Sequence, residues 1–526
     1  MADANFKIKN GLEFANGYDN IPVGTQALYS NIAGHDNIAL GTNALQANTG
    51  GLHNIAIGRD ALFSNTNGDH NIATGWKALY SNTDGSYNIA AGYYALKNNT
   101  NGEHNIAVGK LALQGNTEGY NNLAFGEQAL EYNTTGAHNL AVGNMALGRN
   151  TSGGNNIAIG FYAVYENTTG LNNIGLGQDA LKNNTTGGNN IALGKEALTK
   201  NTTGSNNLAA GEYALNKNTT GANNISFGYK ALYANTTGEY NYAAGIYSLT
   251  SNTTGGNNIA IGNCVLFFNT TGNYNIGFGK SALEGNTTGA NNIASGKSAL
   301  SSNTEGSYNI ALGLESLNYS TTGSYNIALG RSALKFNTIG NGNFASGFMA
   351  LQENTEGLYN IAIGRESLKA NTTGGNNIGL GYHSLYYNTT GFLNISIGPQ
   401  SMYFNTGGIY NIASGFRALR GNTTGNYNIG FGKDSLYYNS TGSNNLGIGT
   451  EAGYSNVSGQ GNVFIGFQAG YFETGSDKLY ISNSNTATPL IYGDFATTAL
   501  TVNGSLTVTG GGDIRDNLIR FYMEVM

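Results

Sequence analysis

Apolar and polar residues recur along this chain with a period of 17. Counted from an asparagine that returns at Asn20, Asn37, Asn54 and onward to Asn462, the unit reads N-I-A-x-G-x-x-A-L-x-x-N-T-T-G-x-(N/Y/H). Within it, a segment such as Tyr87-Asn88-Ile89-Ala90-Ala91-Gly92 alternates with the period of two that marks a β-strand. The alternation predicts that isoleucine at position 2 and the usually apolar position 4 point into the core. Asparagine at 1, a small residue at 3 and glycine at 5 then form an outer face almost without side chains, open to close approach by another backbone. A second apolar pair, Ala78-Leu79 or Ala197-Leu198, is expected to direct its leucine inward to meet the isoleucines. The N-T-T-G stretch, for example Asn201-Thr202-Thr203-Gly204, has turn chemistry, with glycine supplying a positive φ at a corner.

The register never slips. Position 5 is glycine from Gly24 to Gly466 and position 15 from Gly34 to Gly459, while position 12 is asparagine from Asn31 to Asn456 with Ser320 as the exception. A helical repeat would not tolerate two glycines per turn. Coils stacked about 4.8 Å apart demand this regularity, because an inserted residue would move a corner out of line. The fold class is therefore all-β, a parallel β-solenoid (β-roll) of 17-residue coils, and the whole stack implies a rod roughly 125 Å long. A two-sided and a three-sided coil are both compatible with the pattern. The ladder residues are represented by Asn37, Gly41, Leu45, Asn48 and Gly51, and again by Asn190, Gly194, Leu198, Asn201 and Gly204, with stacked asparagines bonding their equivalents one coil away.

The pattern organises the chain as an N-terminal attachment or capping segment (1–19), the solenoid (20–470), a C-terminal β cap module (471–512) with an Asn503-Gly504 turn, and a short tail (513–526). Leucine at position 9 gives way to Gly453 and Gly470 as the repeat ends. Met1 to Gly17 lacks the apolar core of a secretory signal, and no apolar run is long enough to span a bilayer, so neither export by that route nor membrane insertion is expected.

Composition narrows the function. Of 526 residues 80 are glycine, 3 are proline and only 10% are charged, with a net charge of −6, so no basic stripe exists to bind nucleic acid. Cys264 cannot pair within the chain and reads as a chance surface thiol. Carboxylates sit at variable positions without a fixed pair, and nothing resembles a nucleophile elbow; neither catalysis nor a cofactor is expected. His53 and His70 share position 17 one coil apart and could hold a metal between them. Without a cysteine or carboxylate at ligand spacing, ring stacking is the stronger reading. Aromatics cluster at positions 10 and 11 as Tyr386, Tyr387, Tyr403, Phe404, Tyr437 and Tyr438, which suits packing along the rim and also stacking on sugar faces in a receptor.

The N-I-A-x-G-x-x-A-L-x-x-N-T-T-G phrase resembles the head repeats of trimeric autotransporter adhesins, and is more similar still to repeats of bacteriophage tail-fibre proteins. The closing Gly461-Asn-Val-Phe-Ile-Gly-Phe-Gln-Ala-Gly470, with the K-L-Y-I and P-L-I-Y-G-D-F phrases after it, and the opening N-F-K-I-K-N-G-L-E-F are similar to fibre modules of such phages. The resemblance implies a homotrimer in the virion, joined through its N-terminus to a tail or baseplate protein and binding a host surface glycan or protein by multivalent contacts. A bacterial surface adhesin or extracellular filament is the alternative. Ice binding is a third, disfavoured because the two threonines are adjacent rather than alternating.

Overall fold

The computed structural model describes residues 19–505. The chain divides into two compact units, Met1–Asn292 and Ile293–Met526, each built on the same plan. It is an all-β parallel solenoid with one three-residue strand per coil. In the first unit the strands run from β1 (Ile21–Val23) to β16 (Ile276–Phe278), and in the second from β17 (Ile293–Ser295) to β27 (Val463–Ile465). Neighbours pair at an offset of 17, as in Ile21↔Ile38 and Ile310↔Ile327. Among the described residues there is no helix, hence none long and apolar enough to cross a membrane. The expected Asn5 to Phe14 segment and the 513–526 tail lie outside the described residues.

The strand faces the opposite way from the sequence-based expectation. Alanine at position 3 is completely buried, as at Ala39, Ala192 and Ala311, together with Ala197 and Leu198 at positions 8 and 9. Isoleucine at position 2 is half-buried, and position 4 is half-buried in some coils and exposed in others, with Ile57 at 39%, Ile159 41%, Phe227 40% and Ile397 42%. The supposed bare outer face is thus the interior. The leucine meets position 3 rather than the isoleucine column; a Cβ added to Gly430 would lie 3.3 Å from Leu419 Cγ. Nor is the Ala-Leu segment a second strand. Leu198 has φ 52° and Glu196, two residues before it, 55°, so the chain curls through the left-handed region twice within one turn.

Two asparagines per coil complete this interior. Asn190 Nδ2 and Asn201 Nδ2 each donate to the Gly204 carbonyl at 2.9 Å, using both lone pairs of an oxygen that the curled chain turns away from water. Asn190 Oδ1 accepts the Asn207 N–H one coil on at 3.0 Å, and Asn201 Nδ2 also donates to Asn184 Oδ1 at 2.8 Å. Backbone N–H groups outside the strand do likewise, as in Leu198 to the Ala214 carbonyl and Thr202 to that of Thr219.

This crowding sets the glycines. Gly194 at position 5 has φ +126°, and a Cβ there would come within 2.9 Å of the Gly211 carbonyl carbon and oxygen. Gly204 at position 15 does not adopt a positive φ, contrary to expectation. Its requirement is space, since a Cβ would lie 2.5 Å from Asn201 Oδ1 and 2.9 Å from Asn218 Nδ2.

Regular stacking ends after β27. The strand β28 (Lys478–Ile481) pairs parallel with it at an offset of 16, as Val463↔Leu479, and β29 (Ile491–Asp494) and β30 (Ala499–Val502) then pair antiparallel. The loss of leucine at Gly453 and Gly470 is a packing exchange. Phe464 occupies position 3, fully buried, and its ring fills the volume that side chains on both glycines would claim.

Phe464→Ala should cost about 3–5 kcal/mol in chemical denaturation through the cavity it leaves. Adding Gly453→Leu and Gly470→Leu should recover much of that, because φ of 63° and 59° at these sites matches the conformation leucine already adopts in the other coils. Ser320 Oγ, where the asparagine column breaks, has no hydrogen-bond partner, and Asn337 Nδ2 donates to Gly340 alone. Ser320→Asn should stabilise the protein by about 1 kcal/mol by the same measurement.

Candidate functional site

Because side chains at one position stack coil upon coil, positions 10 and 11 of the second unit form two adjacent columns. Position 10 carries Tyr386, Tyr403, Arg420, Tyr437, Tyr454 and Tyr471, and position 11 carries Tyr387, Phe404, Gly421, Tyr438, Ser455 and Phe472. Tyr386 and Tyr403 stack at 5.2 Å, Tyr387 and Phe404 at 5.8 Å with planes 2° apart, and Tyr437 and Tyr454 at 5.1 Å. Within a coil the two rings meet edge to face, as Tyr403 and Phe404 do at 4.8 Å. All six aromatic residues singled out from sequence share this face. Tyr387, Phe404 and Tyr438 are exposed, while Tyr386, Tyr403 and Tyr437 are half-buried.

The columns are interrupted at one coil. Arg420 replaces a ring at position 10, its guanidinium carbon 5.3 Å from the centre of Tyr403, 4.9 Å from Phe404 and 5.6 Å from Tyr437. Its Nη1 donates to the Tyr437 hydroxyl at 3.1 Å. Beside it Gly421 supplies no side chain, and an open recess of about 530 Å³ lies there, lined by Tyr387, Thr389, Phe404, Thr406, Gly421 and Thr423. Its walls are ring faces and threonines of the corner, whose hydroxyls are turned to the next coil; Thr406 Oγ1 donates to the Thr423 carbonyl at 3.1 Å. The recess offers an apolar ring platform with a cation at its margin, an arrangement suited to the face of a sugar.

Charged residues at positions 7 and 10 support this face and escaped the sequence analysis, which sought fixed pairs within a unit. The pairs form between coils instead. Arg417 Nη2 donates to Asp434 Oδ2 at 2.8 Å, and His383 bonds Glu366 while stacking on Tyr382 at 3.7 Å. Burial opposes ionisation of Glu366, but the bond from His383 and the charge of Lys369 outweigh it and hold its carboxyl below the usual range. The signal available in sequence was the 17-residue separation of opposite charges in one column.

Position 17 forms a further ladder in the first unit. The rings of His53 and His70 are 4.8 Å apart, His70 stacks on Tyr87 at 4.8 Å, and Tyr87 on His104 at 4.9 Å. The expectation that no carboxylate accompanies these histidines is incorrect. Asp36 occupies the same column one coil before His53, and His35 lies next to it. Cys264 is half-buried, and burial followed by the charge of Glu284 pushes its thiol up.

Tyr454 is pushed up to about 12, first by burial and then by the phenols of Tyr438, Tyr471 and Tyr437. A raised folded-state value favours the neutral phenol in the native protein. The stability it contributes is complete below about pH 10 and is lost as the pH rises through about 12. Denaturant midpoints followed by circular dichroism should fall across that window, and Tyr454→Phe should make the fall shallower.

No protein-family model matches the chain, and no curated protein sequence matches it.

Proposed function

We propose that this protein is the structural and adhesive subunit of a fibre, of the kind carried by phage tails, and that three copies associate side by side through their isoleucine faces. The observation that carries this reading is the outward stripe of positions 2 and 4 on each unit. Position 2 is apolar in every coil, and positions 2 to 5 contain no charged residue from Ile21 to Gly466. Apolar surface repeated in this way is characteristic of an interaction face. A partner that covers it coil for coil must share the 17-residue repeat, and a second copy of the chain does. The Asn/Ala/Gly face first considered for association is interior, so it cannot serve.

The resemblance to tail-fibre repeats supports the number of copies, the virion location and the host-surface role. Three chains carrying the same aromatic face would bind a surface glycan by avidity without a deep pocket. The corners favour ice binding little, because the first threonine donates to the next coil, as Thr202 Oγ1 does to the Thr219 carbonyl at 3.0 Å, and only the second, as at Thr203, is exposed.

Equilibrium sedimentation should return about three times the 54.9 kDa chain mass. Lysine in place of Ile159, Ile261 and Ile363 together should reduce this to the monomer, whereas a monomeric wild-type protein would remove the assembly. The purified protein should bind susceptible bacterial cells and block adsorption of the particle that carries it. Tyr387→Ala with Phe404→Ala should weaken both effects without changing the sedimenting mass; failure of both assays with wild-type protein would eliminate the receptor role.

A further inference from the structure

The first described coils place three metal-ligating side chains together. His35 Nδ1 lies 2.7 Å from Asp36 Oδ2, and His53 Nδ1 lies 3.6 Å from that same oxygen. One ligand atom from each residue lies within 4.8 Å of the other two. Donors on a tetrahedral zinc ion, bound at about 2.0–2.1 Å, are separated from each other by about 3.3 Å. The two contacts to the carboxylate straddle that value, and the gap between the two imidazole donors, within 4.8 Å, is the one that must close for all three to meet on one ion.

The backbone behind them is already set. Asp36 and His53 occupy position 17 in successive coils with nearly identical left-handed conformations, φ 58° and 56°. The His53 N–H donates to the His35 carbonyl at 3.1 Å, which ties the two coils together directly behind the donors. The rings of His35 and His53 stand edge to face at 5.5 Å, while His70, on the next coil, is stacked against Tyr87. His70 therefore belongs to the aromatic ladder, and the ligand set is completed from the preceding coil.

We infer that His35, Asp36 and His53 form a binding site for a divalent transition-metal ion, with zinc as the best match. Two imidazoles and one carboxylate suit zinc, cobalt, nickel and copper, whereas magnesium and calcium favour all-oxygen shells. With three protein donors, water fills the remaining position. The ion joins the coil Asn20–Asp36 to the coil Asn37–His53. That first coil is the less well packed: Tyr29 and Ile32 are each 75% exposed, and Leu28 retains some exposure where later leucines at the same position, such as Leu45 and Leu62, have none. A metal clip there would hold this coil to the next and oppose its local opening.

Calorimetric titration of the untagged full-length chain with zinc chloride tests the site. One ion per chain is expected, and cobalt in its place should give the visible absorption of a four-coordinate complex. His53→Asn and Asp36→Asn introduce the residue that position 17 carries in other coils, such as Asn121 and Asn155, so the fold is retained. Each should weaken zinc binding by at least about tenfold, as should His35→Ala, whereas His70→Ala and His104→Ala should leave it unchanged. Zinc should also slow amide exchange at Leu28 and Asn31 in the wild type and not in His53→Asn. No binding at about 100 μM zinc, a concentration well above a useful affinity, would overturn the inference. So would binding that survives His53→Asn, or that is lost equally in His70→Ala.

Discussion

Seventeen residues bring the backbone back to a point one strand spacing from where it started, and the two asparagines of each coil hold that closure. A curled chain of this length turns carbonyl groups into its own interior, where water cannot reach them. The Gly204 oxygen shows the solution: Asn190 and Asn201 approach it from two directions, and both then bond to the coil before or after. Each hydrogen bond contributes only about 1 kcal/mol net, but an unpaired buried carbonyl would cost more than that. The asparagines are therefore the condition for having a small interior at all, and their repetition keeps every coil at one length.

An interior shaped around asparagine leaves little room for apolar volume. Alanine at positions 3 and 8 and leucine at position 9 are what fits, and glycine at 5 and 15 keeps adjacent coils in contact. Isoleucine, the most regular large residue of the strand, is displaced to the outside. Phe464 shows how tightly this volume is conserved, since a ring in place of an alanine accompanies the loss of two leucines. The consequence is a chain with a partly exposed apolar stripe, and the proposed association gives that stripe somewhere to go.

The period, the parallel stacking and the inward leucine were legible because each follows from spacing alone. The direction of the strand was not. Alternation separates Ile191 and Leu193 from Ala192 but is symmetric between inside and outside, and hydrophobicity placed the larger residues in the core. What decided the matter was the combined demand of Asn190, Asn201 and Leu198 for the same small interior, which becomes visible only when the corners close. The corner glycine was legible as a requirement but not in its cause, because φ and the space around a Cβ leave the same trace in sequence. The left-handed leucines had no signature at all, since leucine elsewhere avoids that conformation.

The candidate sites were half legible for a related reason. The aromatic cluster from Tyr386 to Tyr438 stood out as a run of rings at fixed positions, whereas Arg420 and Gly421 looked like ordinary variation in the same columns. In a stack, however, a substitution acts on the residues 17 before and after it rather than on its sequence neighbours. A glycine between Phe404 and Tyr438 opens a recess, an arginine between Tyr403 and Tyr437 places a cation among rings, and an aspartate one period before His53 completes a donor set. Fixed positions build the scaffold, and chemistry arises where a variable column changes character between adjacent coils.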